Sequence, residues 1–201
     1  MAKNYSELMK NVDAAKEVAE LAEKFGASAK SAGARGRPDG PRHCGDLDMR
    51  IGRDGTWFYH GSPIGRNRLV KLFARVLRRD SEGVYWLETP AEKGRVEVDD
   101  APFVAVELTV SGAGEGQDLR FRTNLDDAVT ADADHPIHVT FDPVTGEPSP
   151  YIHVRDGLDA LIARPVYYEL VALGVEETVE GERLYGVWSR GHFFALGTPE
   201  T

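Results

Sequence analysis

An Asp-Gly pair set between two short apolar alternations does most to limit what the middle of this chain can become. Cys44-Gly45-Asp46-Leu47-Asp48-Met49-Arg50-Ile51 alternates polar with apolar residues, Asp54-Gly55 follows, and Thr56-Trp57-Phe58-Tyr59 resumes the alternation. Asp-Gly favours the left-handed backbone of a tight turn, so this stretch predicts two antiparallel strands joined as a hairpin. Gly61-Ser62-Pro63-Ile64 then leads into apolar residues at helical spacing, which predicts a helix from Arg66 to Arg79 closed by Ser81-Glu82-Gly83. Further strands are expected at Val84 to Thr89, Val96 to Val98, Phe103 to Ser111 and Leu119 to Thr123.

The second half reads as an edited copy of the first. His138-Val139-Thr140-Phe141, a Pro143 to Pro148 turn and Tyr151-Ile152-His153-Val154 lead into a second expected helix beginning near Arg155. A constant offset pairs Arg66 with Arg155, Asn67 with Asp156, Leu69 with Leu158, Leu72 with Leu161 and Phe73 with Ile162. Three strands are expected to follow, at Pro165 to Leu173, Leu184 to Arg190 and His192 to Leu196. The expected class is therefore α+β, with mainly antiparallel strands and two amphipathic helices, built as a duplicated strand-strand-helix-strand motif. It is divided into a first lobe over residues 44–125 and a second over residues 126–201. Ahead of the lobes, Leu8, Val12, Ala15, Val18, Ala19, Ala22 and Phe25 recur at three and four residues, predicting an amphipathic helix within residues 1–25. Residues 26–43 are rich in Gly, Ala, Ser, Pro and Arg and read as a flexible linker.

Composition excludes several classes. The 201 residues are 41% hydrophobic and 28% charged, with a formal net charge of −9. A field of that sign repels polyanions, so general nucleic-acid binding is not expected and any anion site must be local. No apolar run approaches the roughly 20 residues of a membrane helix, and the N-terminus lacks a signal-peptide pattern, so a cytoplasmic location is expected. A lone Cys44 makes neither an internal disulfide nor a Cys-cluster zinc site.

Three groups of residues are candidates for binding. Between Arg66 and Arg79 six cations occur with no acid, and Arg68, Lys71, Arg75, Arg78 and Arg79 gather opposite the apolar arc, the first four as the binding candidates. The plain reading of this stripe is a solvated face paired with Glu97, Asp99 and Asp100; the functional one is docking of an acidic partner or an anionic ligand. Asp46 and Asp48 alternate by two, so on a regular strand they share a face as paired carboxylates, unless Asp46 caps a turn and Asp48 pairs with an arginine. Arg122, Asn124 and Asp126 fall where the two lobes are expected to join and are placed to line a cleft, or else to form an Asx turn. No metal site, cofactor or catalytic residue is expected, because His43 with Cys44 lacks a second pair at zinc spacing and His135, His138 and His153 have no nucleophile beside them. Gly112, Gly114 and Gly116 precede a strand and not a helix, which predicts a hairpin turn and not a phosphate loop. Trp188, Phe193 and Phe194 flank a tight turn, where alternate side chains face the core and the others solvent, with an exposed aromatic available for dimerisation.

The body from Cys44 to about Gly197 resembles an uncharacterised bacterial family, domain of unknown function 1285. The resemblance rests on Cys44 to Ile51, Gly55-Thr56-Trp57, Pro63-Ile64, Leu69 to Phe73, Thr89-Pro90 with Glu92-Lys93, Asp99 to Phe103, and Phe121 to Asn124 with Asp126-Asp127. It implies an α+β protein of repeated strand-strand-helix motifs with a role in signal transduction, and it brings no activity with it. Members carry a proline-and-tryptophan lead-in before the Cys; here Arg37-Pro38-Asp39-Gly40-Pro41-Arg42 has no aromatic. The expected function is a non-catalytic binding or adaptor module for an acidic partner or anionic ligand. The alternatives are a small-substrate enzyme using the paired aspartates and a structural protein that dimerises through its N-terminal helix.

Overall fold

The computed structural model describes residues 41–90 and 92–199. The expected N-terminal helix and most of the expected linker lie outside these residues, while Arg42 and His43 already belong to the first strand. The chain divides into two compact units, each with its own sheet and core.

The first unit holds residues 41–52 and 56–99 of those described. Its strands are β1 (Arg42–Ile51), β2 (Trp57–Tyr59), β3 (Ser62–Pro63), β4 (Leu77–Arg79), β5 (Tyr85–Glu88) and β6 (Glu92–Val98), with helix α1 (Asn67–Val76) between β3 and β4. They form one sheet in the order β3-β2-β1-β6-β5-β4. Two three-stranded meanders therefore meet along β1 and β6, the only parallel pair of this sheet. The expected hairpin is present, with Ile51 opposite Trp57 and Gly55 at φ +79° in the turn. Trp57 is 1% exposed and stacks on Phe73 of α1 at 6.2 Å between ring centroids, and Ile51, Leu77 and Val96 complete the core beneath the helix. Expected to run to Arg79, the helix stops at Val76. Leu77 turns extended (ψ 133°) and pairs with Leu87, because burying its side chain completely in the sheet outweighs one more helical turn.

The second unit holds residues 53–55 and 100–199 of those described. Its larger sheet has the order β10-β11-β12-β7-β8-β9, made of β7 (Phe103–Ser111), β8 (Asp118–Thr123), β9 (Ala128–Thr130), β10 (Ile137–Phe141), β11 (Pro148–Arg155) and β12 (Leu158–Ile162). Here too two meanders join through a parallel pair, β12 with β7, so the duplication is one of whole six-stranded sheets. A three-stranded sheet follows α2 (Arg164–Ala172), ordered β13 (Val175–Val179), β14 (Glu182–Ser189) and β15 (His192–Gly197).

Two local expectations are corrected. The helix expected from Arg155 is instead the end of β11, a turn at Asp156 (φ 48°) and Gly157 (φ 73°), and strand β12. Leu158, Ala160 and Ile162 are buried while Asp159 and Leu161 are not, a period of two that no helix makes. The strand expected over Pro165 to Leu173 is α2, started by Pro165 in its first turn and buried through Val166 and Leu170, four residues apart. The helix thus precedes the second meander in the first unit and follows it in the second. As expected, Gly112 to Gly116 form the turn between the antiparallel strands β7 and β8, with a single 3-10 turn at Gly114–Gly116.

Candidate functional site

Helix α1 places Val70, Leu72, Ala74 and Val76 against its unit and leaves a cationic face outside. Arg68 and Arg75 are exposed two turns apart, with Lys71 between them on the same side. Of the three acids expected to neutralise this face, Asp99 pairs with Arg50, Asp100, in the second unit, pairs with Arg53, and Glu97 lies opposite Arg50 in the β1–β6 register. Among the described residues neither Arg68 nor Arg75 has an acidic partner. Arg78 leaves the expected stripe because it lies on β4; its guanidinium donates to the carbonyl oxygens of Arg75 at 3.0 Å and Leu77 at 2.8 Å, closing the negative end of the helix. Arg79 lies over the Tyr85 ring at 5.5 Å. The face that remains is Arg68, Lys71 and Arg75.

Asp46 and Asp48 do not form paired carboxylates on a regular strand face. Gly45 (φ 77°) and Asp48 (φ 51°) break the alternation of β1, and the Asp46 carboxylate accepts the backbone N–H of Asp48 at 2.9 Å in an Asx turn. The Asp48 carboxylate faces the His60 ring at 3.2 Å. The two acids hold a bulge where β1 changes register against β6.

Arg122, Asn124 and Asp126 lie inside the second unit, at the turn from β8 to β9, and not at a junction. Arg122 donates to Glu107 at 2.6 Å and to Asp126 at 3.2 Å, and the Glu107 carboxylate raises its already high pKa. Asn124 accepts the Val104 N–H at 3.1 Å and donates to the Gly55 carbonyl at 3.3 Å, so its amide is used on both sides. The turn itself is held by the Thr123 hydroxyl, which accepts the N–H groups of Leu125 at 3.3 Å and Asp127 at 3.2 Å, while Arg122 and Asn124 tie it to Glu107, Val104 and Gly55.

A polar cluster that the residues alone did not suggest lies on β11 and its neighbours. The Tyr151 hydroxyl donates to Asp100 at 2.7 Å, Asp100 pairs with Arg53 at 3.2 Å, and Arg53 donates to Ser149 at 3.1 Å. Burial, then the Asp100 carboxylate, pushes the Tyr151 pKa up, so Tyr151 stays a neutral donor. Across the strands His138 stacks on Tyr151 at 5.2 Å, and His153 meets Asp159 at 2.8 Å. The signal was the Asp156-Gly157 turn, since closing a hairpin there puts His153 opposite Asp159. Among the described residues no three His, Cys, Asp or Glu side chains converge to hold a metal.

The same unit contains a groove of about 630 Å³ lined chiefly by Val139, Phe141, Tyr167, Val171, Leu184 and Tyr185. Tyr185 donates to the Val171 carbonyl at 2.7 Å, and burial raises the pKa of Tyr167. Such an apolar wall with two phenol hydroxyls suits an apolar group. No helix among the described residues is long and apolar enough to cross a membrane.

Comparison with known proteins agrees with this division. The model of the DUF1285 N-terminal domain, a domain of unknown function, matches residues 39–101, and that of the DUF1285 C-terminal domain matches residues 102–196. A crystal structure of a DUF1285 family protein from Silicibacter pomeroyi DSS-3 is similar with a TM-score of 0.74 and 46% identity, covering 86% of this chain and 93% of that one. Another, from Shewanella baltica OS155, is similar with a TM-score of 0.50 and 26% identity, covering 63% of this chain and 91% of that one. No curated protein matches. The two family models together span both units and meet within two residues of the division after Asp99, and the chain belongs to the DUF1285 family.

Proposed function

We propose that this protein is a non-catalytic cytoplasmic binding module of a signalling pathway, and that the outer face of α1 docks an acidic segment of a partner protein. One observation carries the reading: Arg68 and Arg75 expose guanidinium groups with no acidic partner among the described residues, in a chain of net charge −9. Cations of like sign at helical spacing oppose folding slightly, and among the described residues no carboxylate pairs with Arg68 or Arg75 to offset that cost. Guanidinium groups are the strongest side-chain partners for carboxylates, through charge-assisted and often bidentate bonds. The residues of the enzyme alternative, Asp46, Asp48, Arg122, Asn124 and Asp126, are committed to turns and ion pairs, which favours binding over catalysis.

The test is fluorescence anisotropy of a labelled ten-residue oligoglutamate titrated with the full chain at two salt concentrations. Wild type binds, more weakly at the higher salt, and Arg68→Glu with Arg75→Glu binds at least tenfold more weakly at unchanged melting temperature. Losing one charge-assisted contact of about 1.5 kcal/mol already corresponds to that factor. Equal binding by the double variant, or none by wild type, overturns the reading, and displacement by millimolar inorganic phosphate would reassign the face to small anions.

A further inference from the structure

We propose that strand β13 is a docking edge that takes up an extended, basic segment of a partner protein as a fourth strand of the sheet β13-β14-β15. Among the described residues the strand ends its sheet and pairs only with β14. Other sheet ends are blunted: β3 has two residues, β4 and β9 have three each, and β10 runs against β15. β13 is five residues long, and its Val175 and Val179 are 44% and 40% exposed.

The turn that closes this hairpin fixes which backbone groups face outward. Glu180 (φ 51°) and Gly181 (φ 90°) form a two-residue turn in which Val179 lies opposite Glu182. In such a hairpin the flanking pair exchanges both backbone hydrogen bonds and the pattern alternates from there, so Val179, Glu177 and Val175 bond to β14. The N–H and C=O groups of Glu176 and Thr178 point to the open side, ready to accept a strand.

Charge selects the occupant. The hairpin carries Glu176, Glu177, Glu180 and Glu182 against one cation, Arg183, which pairs with Glu176. Glu177 also accepts the Trp188 indole N–H at 3.2 Å, which fixes that carboxylate beside the edge. Two copies paired along β13 would bring these glutamates together, so self-pairing is disfavoured. An incoming strand alternating Lys or Arg with apolar residues places cations among the glutamates and apolar side chains beside Val175 and Val179.

The experiment uses the full chain with three ten-residue peptides: alternating Lys-Val, alternating Glu-Val, and a Lys-Val peptide N-methylated at alternate residues so that it keeps the charge but cannot form a ladder. Lys-Val binding is expected to slow amide hydrogen exchange at Glu176 and Thr178 at least tenfold, and the other two peptides are not. Thr178→Pro removes an outward N–H without removing a bond to β14 and is expected to abolish binding. Glu176→Lys with Glu180→Lys, which leaves the backbone untouched, is expected to weaken binding at least tenfold. Equal affinity for the N-methylated peptide, or for the double-lysine variant, overturns the proposal. So does protection of Glu176 and Thr178 that rises with protein concentration without peptide, which would assign the edge to a second copy.

Discussion

Ser189 is, with Gln117 and Thr123, one of three buried polar side chains among the described residues of the second unit. It is fully buried, and its hydroxyl donates to the Ala131 carbonyl at 2.7 Å while accepting the Leu119 N–H at 3.1 Å. One small group thus satisfies two backbone atoms of the larger sheet from the end of β14. Ser189→Ala changes volume little but strands a donor and an acceptor away from water, at a cost of about 1–3 kcal/mol. For a chain of this size each kcal/mol lowers the melting temperature by roughly 2–4 °C. A drop of several degrees by calorimetry is expected, and an unchanged melt would mean that water reaches both backbone groups. Nothing in the sequence marks Ser189 for this role, since the residues it joins lie 58 and 70 positions away.

At the scale of elements, the legible parts are those where local chemistry and tertiary packing agree. Asp54-Gly55 announced its hairpin, and the start of α1 followed from the apolar spacing after Gly61-Ser62-Pro63-Ile64. The errors share a cause, because amphipathic spacing over six or seven residues suits a helix and a strand alike. Leu158 and Leu161 fit a helix only if Asp156-Gly157, the same turn signal as Asp54-Gly55, is passed over. The same slip hid the pairing of His153 with Asp159, and with it the polar cluster on β11. Leu77 could not be placed from sequence at all, since its strand exists only because β5 lies alongside to pair with it.

The β4–β5 turn that follows depends on one carboxylate. Asp80 accepts the N–H groups of Glu82 at 3.0 Å and Val84 at 2.9 Å and the Trp86 indole N–H at 2.7 Å. These bonds, the indole's foremost, hold its pKa below the ordinary 3.8. A carboxyl whose pKa is depressed on folding stabilises fully above its unfolded value and loses that contribution as pH falls through its folded value. The difference in melting temperature between wild type and Asp80→Ala should therefore be constant above about pH 5 and shrink below about pH 3.5. A difference that persists undiminished at low pH would show that shape, not charge, makes this turn.

Across the whole molecule, the net charge of −9 conceals an uneven division that became visible only once the units were known. The described part of the first unit has ten Lys plus Arg against eight Asp plus Glu, whereas that of the second has seven arginines, no lysine and eighteen acids. Five of those arginines, Arg53, Arg122, Arg164, Arg183 and Arg190, already sit in ion pairs, so most of the remaining carboxylates repel one another without compensation. Salt acts on both terms: it weakens the pairs, each worth about 0–1 kcal/mol at an exposed site, and it screens the repulsion summed over the excess acids. The repulsive term includes more charges and acts over a longer range, so it wins. Raising sodium chloride from about 0.02 M to about 0.5 M, which shortens the screening length from above 20 Å to below 5 Å, should raise the melting temperature by a few degrees. Binding of oligoglutamate at α1 should weaken over the same range. Opposite signs in the two titrations are expected if the basic face of α1 docks an acidic segment as proposed while the second unit carries an acidic excess. A melting temperature that falls with salt would instead make the ion pairs the dominant electrostatic contribution to the fold.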